Sequence, residues 1–222
     1  MNNVSKTIGW AEKTWNPVTG CLNNCPYCYA RKIGLRFTGH FKPTFHSKRL
    51  SEPYSVKPSK IFVCSMADLF APWIPKEWIE QIIEVIKNNP QHTFMFLTKY
   101  PLGYRRIRKY PKNCWLGVTV TRRSDWFKVA QMHYFERDNI KFVSIEPILD
   151  CIDTCYFWLA DWIILGGLTP KPVHKSEWIE EFLDLGSKLK TPVFMKSNLK
   201  PIWKGKLRQE FPLQSIFKKG GG

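Results

Sequence analysis

The sequence predicts an α/β fold, a partial (β/α)6-type TIM barrel with parallel strands, and three observations carry that prediction. Short β-branched and aromatic runs alternate with helical patterns, the signature of successive β/α units. The strands after the first are continuous apolar runs, as in Ile61-Phe62-Val63, Phe94-Met95-Phe96-Leu97 and Trp162-Ile163-Ile164-Leu165. Such runs are expected where helices cover one face of a sheet and a barrel interior fills the other. The length, 222 residues at 44% hydrophobic and 15% aromatic, suffices for one well-buried domain and is too short for two ordinary ones.

In chain order, a first strand is expected within Ile8 to Trp15 and a second at Lys60 to Cys64. Between them Thr38 to Ser59, rich in Lys, His, Pro and Ser without periodicity, reads as a long functional loop. Lys76 to Lys87 places Ile79, Ile82, Ile83 and Ile86 on one helical face, entered through Pro75 and closed by Asn88-Asn89-Pro90. Strands follow at Thr93 to Thr98, Trp115 to Val120, Lys141 to Ser144, Trp162 to Leu165 and Val193 to Met195. Ser124 is expected to cap a helix from Asp125 to about Arg137, and Ser176 one that carries Trp178, Ile179, Phe182, Leu183 and Leu189. Residues 1–196 are assigned to the barrel core. Residues 197–222 form a basic C-terminal extension whose end, Lys218-Lys219 and three glycines, frays.

In β/α folds the chemistry lies at the carboxyl ends of the strands. That singles out Ser65 and Asp68, Thr98 and Lys99, Thr119 and Thr121, Ser144 and Glu146, Gly166 and Gly167, and Lys196. Each alone reads equally well as a cap, turn or solvated residue; their recurrence over six units makes them a set.

Charge and cysteine usage narrow the class. With 34 Lys and Arg against 18 Asp and Glu, the net charge of +16 points to anionic partners, and the apolar content excludes a disordered chain. The most apolar stretch, Tyr156 to Gly167, is interrupted by Asp161 and falls short of a membrane span, so no membrane association is expected. The first residues carry no secretory pattern, which makes the cytoplasm the expected compartment. There the seven cysteines stay reduced, and a cluster of them reads as metal ligands or redox groups.

Cys21-Leu-Asn-Asn-Cys25-Pro-Tyr-Cys28 brings three thiols into eight residues. A zinc site needs a fourth ligand, which only His40 or His46 offers nearby, at a spacing unlike that of a zinc finger. A redox dithiol at Cys25 and Cys28 leaves Cys21 unexplained. The third chemistry is an iron-sulfur cluster held by three cysteines, with one iron open to a small molecule. Cys64 and Cys114 border apolar strands as core residues, and Cys151 and Cys155 form only a pair, so a second cluster is not expected.

The Cys-x3-Cys-x2-Cys spacing, with Tyr27 just before the last cysteine, resembles the radical S-adenosylmethionine (SAM) superfamily. A closer resemblance runs from about Gly9 to Lys196. Its motifs are Thr14-Trp15-Asn16-Pro17-Val18-Thr19-Gly20-Cys21, Ser65-Met66-Ala67-Asp68-Leu69-Phe70, Leu97-Thr98-Lys99, Trp115-Leu116-Gly117-Val118, Glu146-Pro147 and Gly166-Gly167. They look like a phage-associated three-cysteine radical SAM family of unknown function, whose members are often encoded beside a three-cysteine-motif partner protein. Two stretches depart from that pattern: Leu168-Thr169 stand where the family has Glu-Ser, and Met195-Lys196-Ser197-Asn198 replace Phe-Lys-Gln-Trp-Gly. Both fall in late strand-end loops and bear on substrate more than on cofactor.

The resemblance implies a radical SAM core with Cys21, Cys25 and Cys28 holding a 4Fe-4S cluster. The open iron would chelate SAM, whose reductive cleavage gives methionine and a radical that takes hydrogen from a substrate; an electron donor such as a flavodoxin or ferredoxin would reduce the cluster. Where the superfamily has Gly-Gly-Glu to hold the SAM amino group, this chain has Ser65-Met66-Ala67-Asp68. Lys99, Thr119, Thr121, Ser144 and Glu146 are then expected at the ribose and carboxylate, Gly166 and Gly167 where backbone approaches the ligand, and Cys64 as a hydrogen-atom donor.

Two segments concentrate positive charge. Lys99 to Asn113 holds Lys99, Arg105, Arg106, Arg108, Lys109 and Lys112, no acid, and the interleaved Tyr100, Tyr104 and Tyr110. The tail from Lys196 holds seven more cations against Glu210. Cations with aromatics suit a phosphate backbone with stacked bases, which makes Arg105, Arg106, Arg108 and Lys109 the expected nucleic-acid or polyanion contacts. A solvated face, or a docking surface for an acidic partner, fits the same composition. The reading is therefore a radical SAM enzyme acting on nucleic acid or another polyanion; the alternative is a zinc-stabilised, non-catalytic nucleic-acid-binding protein.

Overall fold

The computed structural model describes residues 1–133, 138–152, 156–169 and 175–213. Strands β1 (Asn2–Asn3), β2 (Lys13–Trp15), β5 (Lys60–Val63), β6 (Thr93–Thr98), β7 (Cys114–Thr119), β8 (Lys141–Ile145), β9 (Trp162–Leu165) and β10 (Val193–Met195) form one sheet in that order. Every neighbour from β2 to β10 is parallel, and β1 adds an antiparallel edge. Seven parallel strands and the six crossovers between them make the curled, open barrel expected from the sequence. A second pair, β3 (Val18–Thr19) with β4 (Thr44–Phe45), lies just beyond the end of β2.

The apolar runs divide by strand period. Phe62, Met95, Trp115, Phe142, Trp162, Ile164 and Phe194 face the concave side, packed with Trp10 and Ala11. Their neighbours Ile61, Val63, Phe94, Phe96, Leu116, Val118, Val143, Ile163 and Leu165 face the helices. Gly117 is required by this packing: a Cβ there would sit 2.3 Å from the Phe142 ring, its register partner on β8. The interior is thus plugged by aromatics at the amino ends of the strands. At the carboxyl ends the inward positions turn polar, as at Thr119 and Ser144, which pair across β7 and β8.

Helix α2 (Lys76–Lys87) buries Ile79, Ile82, Ile83 and Ile86 as the periodicity predicted. Helix α4 (Ser176–Leu189) starts at Ser176, but Lys175 holds the N-cap position and Ser176 bonds only to Glu177. Ahead of α3 (Phe127–His133) Ser124 caps no helix but lies inside a 3-10 turn over Arg123–Asp125, which Asp125 closes by accepting the N–H groups of Thr121 and Arg122. The expected end of that helix near Arg137 lies outside the described residues. The expected loop from Thr38 to Ser59 is in fact ordered by β4 and by a 3-10 turn over Ser47–Ser55.

The C-terminal extension expected from residue 197 is not separate from the barrel over its described part. Met195 N donates to Arg208 O (2.7 Å), Glu210 N to Val193 O (3.1 Å), and the Glu210 carboxylate accepts from Val193 N (3.0 Å). This strap covers the free edge of β10. It seats Phe211 against Trp162 and Phe194, with the Lys60 ammonium 4.3 Å from its ring centre. Lys218 and Lys219 lie outside the described residues.

Candidate functional site

The site begins where β2 ends. The chain turns through β3 and reaches Gly20 at φ +89°, pressed so closely on the Lys42 carbonyl that a Cβ would lie 2.0 Å from its oxygen. Only glycine fits. Gly20 N then donates to Met66 O (2.9 Å) and Cys21 N to Phe41 O (3.0 Å), which fixes the start of the cysteine loop. Cys21 Sγ accepts from Asn23 N (3.4 Å). Cys28 caps helix α1 (Tyr29–Thr38), its Sγ accepting from Arg31 N (3.3 Å). Peptide N–H groups directed at sulfur favour thiolate over thiol. Burial outweighs that effect at Cys21 and pushes its pKa up.

At the end of β5, Cys64 adopts φ +57°, a rare conformation for a side-chain-bearing residue. The turn brings Ser65 Oγ and Met66 N to the same acceptor, Asn16 Oδ1, at 3.2 and 3.1 Å. Asp68 is buried. One carboxylate oxygen accepts from Thr98 Oγ1 (2.5 Å), and the other from Lys99 N (2.9 Å) and Asn23 Nδ2 (3.4 Å). Burial pushes its pKa up despite these donors. Asp68 therefore ties the end of β6 to the loop between Cys21 and Cys25; a free acceptor for an ammonium group, its expected role, is not what it presents. Tyr100 braces the same loop, its hydroxyl donating to Asn23 Oδ1 (2.7 Å).

Lys99 lies 5.7 Å from the Tyr27 ring centre. Burial works against its charge, but Tyr27, Cys25, Asp68 and Cys21 around it prevail and hold the ammonium pKa above normal. Thr119 and Ser144 sit side by side on the concave face, and Ser144 Oγ is fully buried without a partner. Glu146 pairs with Lys196 across the mouths of β8 and β10. Gly166 makes room for that pair, since a Cβ would stand 3.0 Å from the Glu146 side chain. Asn198 brackets Gly167, donating to its carbonyl (2.8 Å) and accepting from its N–H (3.1 Å).

These groups line one cavity of about 870 Å³ at the carboxyl ends of the strands. It takes in Cys21, Cys25, Cys28, Cys64, Ser65, Asp68, Lys99, Thr119, Ser144, Glu146, Gly167 and Lys196. Two expected residues are outside it. Thr121 spends its hydroxyl on Asp125 (3.0 Å) and borders a smaller cleft, and Gly166 serves Glu146 rather than a ligand. Asn16, Asn23, Tyr29, Asn198 and Trp10 were not anticipated. Asn16 precedes the cysteine motif and Asn23 lies within it, whereas Trp10 enters the cavity only through the curl of the sheet.

The polyanion contacts need correction. Tyr104 and Tyr110 are core residues: Tyr104 Oη bonds Gly117 O (2.8 Å), and Tyr110 Oη bonds Tyr104 O (3.0 Å). Arg106 is spent on the carbonyls of Ala71 and Ile74. With Tyr104 and Tyr110 buried and Tyr100 bonded to Asn23, the stacking half of the argument fails. None of Arg105, Arg106, Arg108 and Lys109 lines the cavity. In the tail, Lys196 and Arg208 are paired with Glu146 and Glu210.

Among the described residues, no three Cys, His, Asp or Glu side chains close into a cage for a single metal ion. His46, one of the two histidines that could complete a zinc site, bonds Thr19 Oγ1 instead (2.8 Å).

Fold and site together define an open parallel β/α barrel whose first crossover carries a three-cysteine loop over a cavity at the strand ends. The model of the family described as "protein of unknown function (DUF5131)" matches residues 5–206, and the chain belongs to that family. None of the curated proteins matches it by sequence. Among solved structures it is similar to spore photoproduct lyase. A cysteine-to-alanine mutant of that enzyme with dinucleoside spore photoproduct aligns at TM-score 0.50 and 12% identity, over 89% of this chain and 54% of that one. A tyrosine-to-phenylalanine mutant aligns at TM-score 0.50 and 12% identity, over 86% and 57%. The chain thus spans about half the length of the lyase chains it matches, and at this identity the likeness is one of fold. Among the described residues, no helix is long and apolar enough to cross a membrane.

Proposed function

We propose that this protein is a radical SAM enzyme acting on a nucleic acid or a similar polyanion. The observation that carries the reading is the convergence of Cys21, Cys25 and Cys28 with Ser65, Thr119, Ser144, Glu146 and Lys196 on one cavity. The likeness in fold to spore photoproduct lyase, a radical SAM enzyme, supports it.

The residues present fit the cofactors. Three thiols on one loop, without a fourth ligand, suit a cluster that spreads its cysteines apart and keeps a site open. A buried polar atom on the cavity wall, Ser144 Oγ, has no protein partner and is suited to a bound group. When bound, a 4Fe-4S cluster and SAM would supply reductive cleavage of SAM and abstraction of a hydrogen atom from the substrate.

The chain's own part is binding and orientation. Asp68, through Asn23 and Lys99, holds the cysteine loop in place. Lys99 offsets the negative charge of the thiolates. Ser65, Thr119 and Ser144 offer hydroxyls to the polar parts of SAM, and Glu146 with Lys196 presents one charge of each sign. Cys64 lines the wall with its thiol pushed up to about 12 by burial, so it keeps its hydrogen at neutral pH and suits the role of hydrogen-atom donor. An electron donor of the flavodoxin or ferredoxin type and a three-cysteine-motif protein are the partners this reading calls for.

The test is anaerobic reconstitution followed by reduction with SAM. The expected result is a four-iron cluster with broad visible absorbance, and 5'-deoxyadenosine that disappears in Cys25→Ala. One zinc and no iron, or no 5'-deoxyadenosine above the mutant, overturns the reading.

A further inference from the structure

Helix α1 is unlike the other crossover helices. Of its ten residues only Ala30 is buried, whereas α2 buries five of twelve. Tyr29, Ile33 and Phe37, one turn apart on one face, are 54%, 43% and 76% exposed. Beside them stand Arg31, Lys32 and Arg36. Gly39, left-handed at φ +70°, ends the helix.

The charge around this helix is one-sided. From Lys13 to Ser51 the chain has seven Lys and Arg (Lys13, Arg31, Lys32, Arg36, Lys42, Lys48, Arg49) and no acid. This stretch sits at the reactive end of the fold. Tyr29, Arg31, Lys32 and Ile33 line the cavity, and the Tyr29 hydroxyl reaches across to Ser65 O (2.9 Å). The ridge is therefore continuous with the cavity, while the Arg105 to Lys109 segment is not. The cavity also extends past the cofactor-side groups to a second part, lined by Val4, Ile8, Phe62 and Trp10, whose indole N–H is buried and unpartnered. That part combines the apolar and aromatic Val4, Ile8, Phe62 and Trp10 with a few polar groups, the Trp10 N–H, Asn2, Thr7 and Thr14, as a planar heterocycle requires.

We propose that α1 is the nucleic-acid-binding ridge of this protein. A single strand runs along Arg31, Lys32 and Arg36 with bases against Tyr29 and Phe37, and one base enters the cavity toward Trp10. The inference rests on the radical SAM reading only for what happens to that base; the binding surface stands on its own. Single-stranded nucleic acid is the occupant because the ridge pairs cations with exposed aromatics at helical spacing, the combination that holds phosphates and bases together. A face for an acidic protein would lack a reason to open into the cavity.

The experiment is fluorescence anisotropy of the reconstituted protein with a labelled single-stranded oligonucleotide at two salt concentrations. Replacing Arg31, Lys32 and Arg36 together by Gln is expected to weaken binding at least about tenfold and to lower the salt slope by about 2, at roughly 0.7 per phosphate contact. Phe37→Ala, at an exposed position, weakens binding by about fivefold or more without changing that slope. The triple Arg105→Gln, Arg108→Gln, Lys109→Gln changes binding less than about twofold. Binding lost with the second triple and kept with the first overturns the proposal. So does an α1-dependent affinity for phosphatidylserine vesicles with none for the oligonucleotide. If the radical SAM reading failed, 5'-deoxyadenosine would be missing while α1-dependent binding persisted. If this inference failed, the reverse would be seen.

Discussion

Replacing Asp68 separates its structural task from a direct role at the cofactor. In Asp68→Ala the buried Lys99 N–H loses its acceptor, at a cost of about 1–3 kcal/mol, and the Thr98 and Asn23 donors lose theirs. The Thr98 hydroxyl can rotate and the Asn23 amide keeps its tie to Tyr100. The expected net loss is therefore about 2–4 kcal/mol in urea unfolding, with reconstituted iron falling together with it because Asn23 lies inside the cysteine loop. Asp68→Asn keeps an oxygen for Lys99 N and turns its amide group toward Thr98. It also removes the cost of a buried charge, so its stability stays within about 1 kcal/mol of wild type. The pH dependence has a definite sign. Burial raises the folded pKa of Asp68, so the folded state binds more protons and stability falls as pH rises from the unfolded value toward the folded one. Asp68→Asn lacks that fall. An Asp68→Ala variant as stable as wild type and with full iron content would refute the reasoning, and so would an Asp68→Asn variant that loses as much as the alanine.

Other positions give equally sharp expectations. Ser144→Ala removes a buried hydroxyl that has no partner, so thermal stability is unchanged or up by about 1 kcal/mol while SAM affinity, measured by equilibrium dialysis, falls; a destabilised protein with normal SAM binding contradicts this. Asp125 carries the opposite pH signature to Asp68. Burial disfavours its charge, but Lys128 at 2.5 Å and the Thr121 donors prevail and hold its carboxyl below the usual range. Its contribution is present above the unfolded pKa and lost as pH falls through the folded one. Circular dichroism should therefore show wild type losing stability faster than Asp125→Asn between about pH 5 and pH 3.

Much of the barrel was legible because its signals are local. The strands Thr93–Thr98, Trp162–Leu165 and Val193–Met195 and helix Lys76–Lys87 stand where the periodicity put them, since runs of Phe, Ile and Val bounded by Pro, Asn and Gly admit few other conformations. The helix starts were less legible: the sequence offers Ser124 as a cap, but Asp125 draws the Thr121 and Arg122 N–H groups into a 3-10 turn that takes in Ser124, and the helix begins only at Phe127. The strap at Arg208 to Phe211 gave no signal, because its bonds go to β10 and its ring to Trp162.

For the site, the sequence alone determined the residue types: three cysteines at loop spacing, and a hydroxyl or charge after nearly every strand. The tertiary structure decided which of them face one another. It turned Tyr104 and Tyr110 from surface contacts into core members and tied Arg106 to backbone carbonyls, because an aromatic followed by a cation reads the same whether its ring packs inward or outward. It withdrew Thr121 and Gly166 from the cavity and brought in Trp10, Tyr29 and Asn198. It also moved the basic surface that adjoins the cavity from the most cation-dense segment to helix α1. Charge density is a property of the chain, but the field at a cavity depends on which charges lie near it and which are spent on neighbours. Only folding sets those distances.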